Sequence, residues 1–155
     1  MTLETRLGAS VRAARAAARL SRQVERALVP AELSLPQYRL LALLADSEEL
    51  ASALAGLLAV RPPSVTALVD GLVQRGLVER RGSEHDRRCV THVLTDAGRA
   101  VLATGDEVVA ERLAALVHHL PLHEAGDALD GLEHWGDALD AARDAAHGRD
   151  HLARG

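Results

Sequence analysis

The sequence predicts a mainly α-helical fold with one small β-hairpin. Apolar residues recur at spacings of three and four through most of the chain, which is the period of an amphipathic helix. Aromatic residues make up only 1% of the sequence, so the core must be built from leucine, valine and alanine, which favours packed helices. Two short apolar runs on either side of a polar, turn-rich stretch, residues 82–88, predict the hairpin.

Four helices are predicted before the hairpin. The first ends before Pro30, and the second begins with Ser34 as its N-cap. The leucines of residues 50–58 predict a short third helix. The fourth occupies residues 62–75, starting at two prolines and ending before Gly76, where a left-handed C-cap is required.

Two long helices are predicted after the hairpin. Thr95 caps the first, which runs to about Leu120 and is interrupted by Pro121. The second runs from about Glu124 to Ala146 and leaves a frayed tail. Short helices, a tight turn, a helix ended by glycine and an immediate hairpin are the element order of a winged helix-turn-helix, in which the hairpin is the wing.

The basic residues are concentrated near the start of the chain and around the hairpin, although the net charge is −4. Residues 61–99 carry seven arginines against five acids, whereas residues 100–155 carry four against eleven. All 18 basic residues are arginines, which suits bidentate phosphate contacts but equally fits a biased coding composition. Arginines at a wing tip can reach phosphates or an adjacent minor groove, so the acidic total does not exclude DNA binding.

The chain resembles the MarR family of transcriptional regulators. The resemblance is carried by "SVTALVDGL", "RGLVERR", "DRR" and "LTDAGR" in that order and spacing, preceded by "LSLPQYRLLALLA". Together these motifs cover roughly residues 33–102. The long helices on both sides fit the dimerisation elements of the family.

The resemblance implies one MarR-like domain over residues 1–155. Residues 33–99 would form the DNA-binding part, and residues 1–30 and 100–150 would form the dimerisation helices. The expected function is that of a homodimer that binds a pseudo-palindromic operator in double-stranded DNA, usually as a repressor, and that a small-molecule effector releases. The sequence contains no nucleophile and base pair and no glycine-rich phosphate loop, so neither catalysis nor a cofactor is expected.

The resemblance also assigns the DNA contacts to the helix of residues 62–75 and to the wing tip. The expected DNA-binding residues are Arg61, Pro63, Ser64, Thr66, Ala67, Gln74, Arg75, Arg87 and Arg88. Ser64, Thr66 and Gln74 could hydrogen-bond base edges, and Ala67 could contact a thymine methyl group. Ala67 and Gly71 stand where many members of the family carry arginine. We therefore expect the arginines at the helix ends and on the wing to contribute more of the binding.

Two charge stripes predict a contact between the first and last helices. Arginines recur at spacings of 3, 4, 3 and 4 at positions 12, 15, 19, 22 and 26, and acids repeat this spacing at 130, 133, 137, 140 and 144. Each stripe lies beside an apolar row. The expected interface residues are Val11, Ala14, Arg15, Ala18, Leu129, Leu132 and Leu139. The two helices are predicted to pack within one subunit or across the dimer, the alternative being two independently solvated faces.

Other chemistry is sparse in the sequence. His118, His119 and His123 cluster near Pro121, but adjacent helical histidines point about 100° apart and surface positions are the simpler interpretation. Cys89 has no second cysteine to pair with. The N-terminus lacks a secretory signal pattern and no apolar run spans a membrane, so a cytoplasmic protein is expected. Two other functions stay open: a winged-helix protein-interaction module that never binds DNA, and a MarR-like metal-responsive regulator.

Overall fold

A computed structural model of the chain describes residues 3–46, 49–50, 54, 56, 62–82 and 90–152. The chain divides into two compact units, Met1–Arg112 and Leu113–Gly155. In chain order the elements are α1 (Leu3–Ala27), a 3-10 helix (Val29–Ala31), α2 (Leu35–Asp46), β1 (Glu49–Leu50), α3 (Pro62–Gln74), β2 (Val78–Gly82), β3 (Val90–Leu94), α4 (Asp96–Val117) and α5 (Leu122–Leu152). The predicted fold class, mainly helical with a hairpin wing, is confirmed.

Side-chain and glycine caps fix the ends of three helices. Before α2, the Gln37 N–H donates to Ser34 Oγ at 3.3 Å, and the Ser34 N–H donates to Gln37 Oε1 at 2.9 Å, which forms a reciprocal capping box. At the start of α4, the Gly98 N–H donates to Thr95 Oγ1 at 3.0 Å. Gly76 follows α3 with φ 70°, the left-handed conformation that glycine adopts without steric penalty. The three predicted caps are confirmed.

Two predicted boundaries were wrong. Leu50 lies in strand β1 and not in a helix. The strand could not be predicted, because two residues are too few to show an alternating pattern and their pairing with β3 is long-range. Leu54 and Gly56 are helical, and the other residues of the predicted third helix lie outside the described residues. The last helix continues past Ala146 to Leu152, because no proline or helix-ending glycine cap stops it at Ala146.

The predicted hairpin belongs to a three-stranded antiparallel sheet with strand order β1-β3-β2. Val78 lies opposite Leu94, and Gly82 lies opposite Val90. The turn residues 83–89 lie outside the part of the chain that the structure describes. The paired strands therefore define the base and middle of the wing.

The core of the unit Met1–Arg112 is aliphatic. Its fully buried side chains are Leu28, Leu40, Leu41, Leu54, Val65, Val69, Leu72 and Val78. The helix α4 approaches its neighbours closely at two buried glycines. A Cβ at Gly98 would lie 2.1 Å from the Leu77 carbonyl oxygen, and a Cβ at Gly105 would lie 3.2 Å from the ring of Tyr38. No helix among the described residues is long and apolar enough to cross a membrane.

Candidate nucleic-acid interface

One face of α3 is packed and the other is open. Val65, Val69 and Leu72 are buried, because their spacing of three and four places them on the side that faces the core. The opposite side carries exposed residues that the sequence assigned to DNA. These are Ser64, Thr66, Ala67 and Gln74. The open face presents small and weakly polar groups rather than long basic side chains.

The C-terminal end of α3 is tied to the turn before α2. Arg75 is exposed, and its Nη1 donates a hydrogen bond to the Glu32 carbonyl oxygen at 2.9 Å. Glu32 has φ 53°, an uncommon conformation for a residue with a side chain. Arg75 thus holds α3 against the segment that precedes α2, a role that its position in the sequence does not indicate.

The start of α3 is described in part. Pro63 lies in the first turn of the helix, and its side chain is outside the described residues. Arg61 also lies outside them, as do Arg87 and Arg88 at the wing tip. The expected contacts of these residues with DNA stay predictions.

The two described wing arginines are both engaged with carboxylates. Arg80 on β2 forms an ion pair with Asp70 on α3. Arg81 Nη2 lies 2.6 Å from Glu79 Oε1 on the same strand. All four side chains are partly exposed, so solvent screens these pairs. The Asp70–Arg80 pair could not be predicted from the sequence, because it depends on how the strand turns back along the helix.

The wing and α3 form one continuous surface. A shallow cavity of about 210 Å³ lies between them, and its lining is mostly apolar. The lining residues are Val65, Thr66, Val69, Arg80, Val90 and His92. His92 on the middle strand β3 is buried. The helix α3 packs mainly on the wing strand β2, and β3 packs mainly on α2. Packing of this kind fixes the direction of the wing relative to α3.

Thr95 joins the end of α3, the base of the wing and α4. Its hydroxyl donates to the Gly76 carbonyl oxygen at 2.7 Å while it also caps α4. Its backbone N–H donates to the Leu77 carbonyl oxygen at 3.1 Å. The Thr95 hydroxyl thus provides a hydrogen-bond partner for the carbonyl group of Gly76 after α3 and for the N–H group of Gly98 at the start of α4.

Tyr38 connects α2 to α4. Its hydroxyl donates to Asp106 Oδ1 at 2.6 Å, and Gly105 leaves space for the ring. Burial raises the pKa of the Tyr38 hydroxyl far above its usual value, and the hydrogen bond and negative charge of Asp106 raise it further. The helix α4 is also linked to α1, because the Arg112 guanidinium donates twice to Gln23 Oε1, at 2.6 and 3.1 Å.

The expected interface residues lie on exposed helix faces, with one exception. Val11, Ala14, Arg15 and Ala18 are exposed on α1. On α5, Leu132 and Leu139 are 38% and 67% exposed, whereas Leu129 is half-buried. Trp135 is 68% exposed on the same side of α5 and was missing from the predicted interface, although its spacing from Leu132 and Leu139 could have indicated it.

The histidine cluster shows no metal geometry. His118, His119 and His123 are exposed, and His123 Nε2 lies 3.6 Å from Glu124 Oε1. Within the described ranges, no three or more histidine, cysteine, aspartate or glutamate side chains come together in a way that could hold a metal ion. Cys89 lies outside these ranges.

Known proteins share this architecture. The sequence model of the MarR family matches residues 33–90. The transcriptional repressor CouR, solved bound to a 23-mer DNA duplex, is 31% identical with a TM-score of 0.66, covering 81% of this chain and 88% of CouR. CouR from Rhodococcus jostii RHA1 bound to p-coumaroyl-CoA is 25% identical with a TM-score of 0.61, covering 77% and 85%. MarR from E. coli is 24% identical with a TM-score of 0.69, covering 86% and 95%. No curated protein matches the sequence.

The exposed helix, the sheet beside it and these similarities define a winged helix-turn-helix transcription regulator. The chain belongs to the MarR family. The resemblance that the sequence motifs indicated is therefore confirmed.

Proposed function

We propose that this chain is a homodimeric repressor that binds a pseudo-palindromic operator in double-stranded DNA and leaves it when a small molecule binds. The open face of α3 beside the wing is the observation that carries the proposal. A helix with one face in the core and the other free can enter a major groove while the wing follows the backbone.

The proposed contacts divide between bases and phosphates. Ser64, Thr66 and Gln74 have side chains that can hydrogen-bond base edges, and Ala67 can contact a thymine methyl group. The proposed phosphate contacts come from the arginines at the ends of α3 and on the wing. These are Arg61, Arg75, Arg87 and Arg88, with Pro63 at the close approach of the helix start. Because phosphate contacts carry no sequence information, specificity rests on the small residues of α3 and on DNA shape.

Relatives support the repressor and effector parts of the proposal. CouR is a transcriptional repressor that has been solved bound to DNA and to p-coumaroyl-CoA. A ligand releases a protein from DNA when it binds the free state more tightly than the DNA-bound state. We propose that this chain binds the same two kinds of ligand, DNA and a small molecule. The chemical identity of its own effector is not part of the proposal.

The homodimer accounts for the expected operator symmetry. Two copies of α3 related by a two-fold axis would enter successive major grooves on one side of the duplex, with half-sites about 10 bp apart. The exposed apolar residues of α1 and α5 support a dimer. They include Val11, Leu132, Trp135 and Leu139.

Operator selection from a random duplex library, followed by footprinting, tests this function. We expect an inverted repeat with half-site centres about 10 bp apart. Arg88→Ala should weaken binding to the selected site while leaving the melting temperature nearly unchanged, because we propose that this arginine contacts a phosphate and does not pack in the core. Arg39→Ala, an exposed arginine on α2, is the matched control.

The outcome also separates this function from the alternatives. A chain that selects no sequence and binds no duplex would instead be a winged-helix protein-interaction module. Binding that appears only after a divalent metal is added would indicate a metal-responsive regulator. As part of the proposal, the protein has no catalytic activity and acts in the cytoplasm, in the compartment that holds its DNA.

A further inference from the structure

Five arginines form an exposed stripe on α1. Arg12, Arg15, Arg19, Arg22 and Arg26 are all exposed. No ion pair joins any of them to another residue within the described ranges. The helix packs on its own unit through a different face, on which Leu20 and Val24 are half-buried, and Leu28 directly after the helix is buried. The stripe is therefore an uncompensated positive surface in a chain of net charge −4.

Five acids form a matching stripe on α5. Asp130, Glu133, Asp137, Asp140 and Asp144 are all exposed. Arg143 engages two of them, with N–O distances of 3.6 Å to Asp140 and 3.9 Å to Asp144. Within the part of the chain that the structure describes, the other three acids of this stripe have no ion pair.

The two stripes have the same length and the same spacing. Each covers 14 residue steps, 3, 4, 3 and 4, which is about 21 Å along a helix. A row with an average spacing of 3.5 residues stays on one face, as the seam of a coiled coil does. When the two helices lie side by side, each arginine of one stripe can therefore lie next to an acid of the other at nearly the same position along the helix axis.

The position of the apolar rows decides how the helices can pair. On α1, the exposed row of Val11, Ala14 and Ala18 lies about 100° from the arginine stripe. On α5, the row that contains Leu132 and Leu139 lies about 100° from the acidic stripe in the same rotational sense. When two such helices pack row against row and run antiparallel, both stripes fall on the same side of the contact. When they run parallel, the stripes fall on opposite sides.

We infer that α1 of one subunit packs antiparallel on α5 of a second copy of this chain, apolar row against apolar row, with the arginine and acidic stripes paired alongside. This inference rests on the homodimer proposed above and specifies its interface. In the antiparallel register, Arg15 lies beside Asp140 of the second copy and Arg19 beside Asp137. The two-fold symmetry of a dimer repeats the ladder, so each substitution acts twice.

Charge reversal in the full-length chain tests the ladder. One variant combines Arg15→Glu with Arg19→Glu, a second combines Asp137→Arg with Asp140→Arg, and a third carries all four changes. Arg39→Glu with Asp127→Arg is the matched control, because both residues are exposed and lie outside the stripes. Sedimentation equilibrium gives the dimer dissociation constant of each, and thermal melts report the fold.

We expect each double reversal to raise the dimer dissociation constant at least about tenfold, because four attractive pairs per dimer become repulsive. The quadruple variant should return to within about threefold of the wild type, and the control should stay within about twofold. Raising the salt concentration should weaken the wild-type dimer, because exposed pairs are screened.

Other outcomes overturn the inference in distinguishable ways. A wild-type chain that is monomeric at every concentration contradicts the proposed dimer itself. A dimer whose dissociation constant changes additively in the quadruple variant keeps the proposed function and removes the ladder. If the double variants lower the melting temperature and the quadruple variant restores it, with the dimer dissociation constant unchanged, the two stripes pair within one subunit. Loss of DNA affinity alone in the arginine variant would make the stripe a DNA contact.

Discussion

Arg80, on the wing strand β2, forms an ion pair with Asp70, on the outer side of α3. The pair joins the two elements that a winged helix-turn-helix presents to DNA, and it places a carboxylate on the surface expected to approach phosphates. Both side chains are more than two-fifths exposed, at 43% and 46%, so the pair adds little to folding. Its main effect is on the charge of the binding surface.

Asp70→Asn should therefore strengthen DNA binding. The change removes a negative charge that faces the duplex and frees the Arg80 guanidinium to contact a phosphate. We expect an affinity gain of about threefold to tenfold at low salt, where exposed charges act most strongly. Fluorescence anisotropy with a labelled operator duplex measures it.

The control is Glu107→Gln, which removes one exposed negative charge from α4 away from the wing. It should change the affinity less than about twofold, because exposed charges more than a Debye length from the phosphates are largely screened. A loss of affinity in Asp70→Asn would show that the pair serves mainly to orient the wing.

Ala67→Arg should raise general DNA affinity or shift the selected sites toward guanine. Ala67 is exposed on the open face of α3, and an arginine there could donate two hydrogen bonds to guanine O6 and N7. Operator selection with the variant measures the preference. Ala103→Arg, on an exposed position of α4, adds the same charge elsewhere and should leave the selected sequence unchanged. If Ala67→Arg selects the wild-type sites with the wild-type affinity, residue 67 does not reach the groove.

Gly98→Ala should destabilise the fold strongly. The new methyl group would lie 2.1 Å from the Leu77 carbonyl oxygen, a backbone atom that also accepts the Thr95 N–H. Overpacking of this kind lowers the free energy of unfolding by about 1–3 kcal/mol, and contact with backbone places Gly98 at the upper end. Urea denaturation measures the change.

Gly131→Ala is the matched control for that prediction. Gly131 lies in α5, away from the apolar row and the acidic stripe, and no neighbouring group comes within 4 Å of the position that the new methyl group would take, so alanine gains helix propensity without a clash. It should raise stability by about 0.5–1 kcal/mol. Equal effects of the two substitutions would contradict the close approach of α4 to the base of the wing.

Tyr38→Phe should remove a pH dependence above pH 10. The pKa of Tyr38 is raised in the folded protein, so the folded state keeps its proton where the unfolded state loses it. The stability that this group contributes is complete below about pH 10, the usual tyrosine pKa, and is lost as the pH rises beyond it. Urea melts between pH 8 and pH 11 should show a steeper loss for the wild type than for the variant. Parallel curves would mean that the Tyr38–Asp106 bond does not persist in solution.

Local signals in the sequence predicted most of the fold. Ser34, Gly76 and Thr95 mark element ends through their own backbone or side-chain chemistry, and each cap is present. Strand β1 could not be predicted, because two residues carry no period and their pairing with β3 depends on the tertiary fold. The alternation of buried and exposed residues along α3 followed directly from its helical period.

The site was less predictable than the fold. Composition and spacing identified which residues carry charge but not which charges meet. The Asp70–Arg80 pair and the bond from Arg75 to the Glu32 carbonyl oxygen join residues 10 and 43 positions apart. Such contacts depend on how elements turn back on one another, so the sequence alone suggested free arginines where the structure shows engaged ones.

The salt dependence of binding to the selected operator tests the central claim most directly. If the dimer neutralises six to eight phosphates, the logarithm of the association constant should fall with the logarithm of salt concentration with a slope of about −5 to −7. Fluorescence anisotropy of a labelled duplex over several salt concentrations gives this slope. A slope near zero, or no binding to any duplex, would contradict the account of this chain as a DNA-binding regulator.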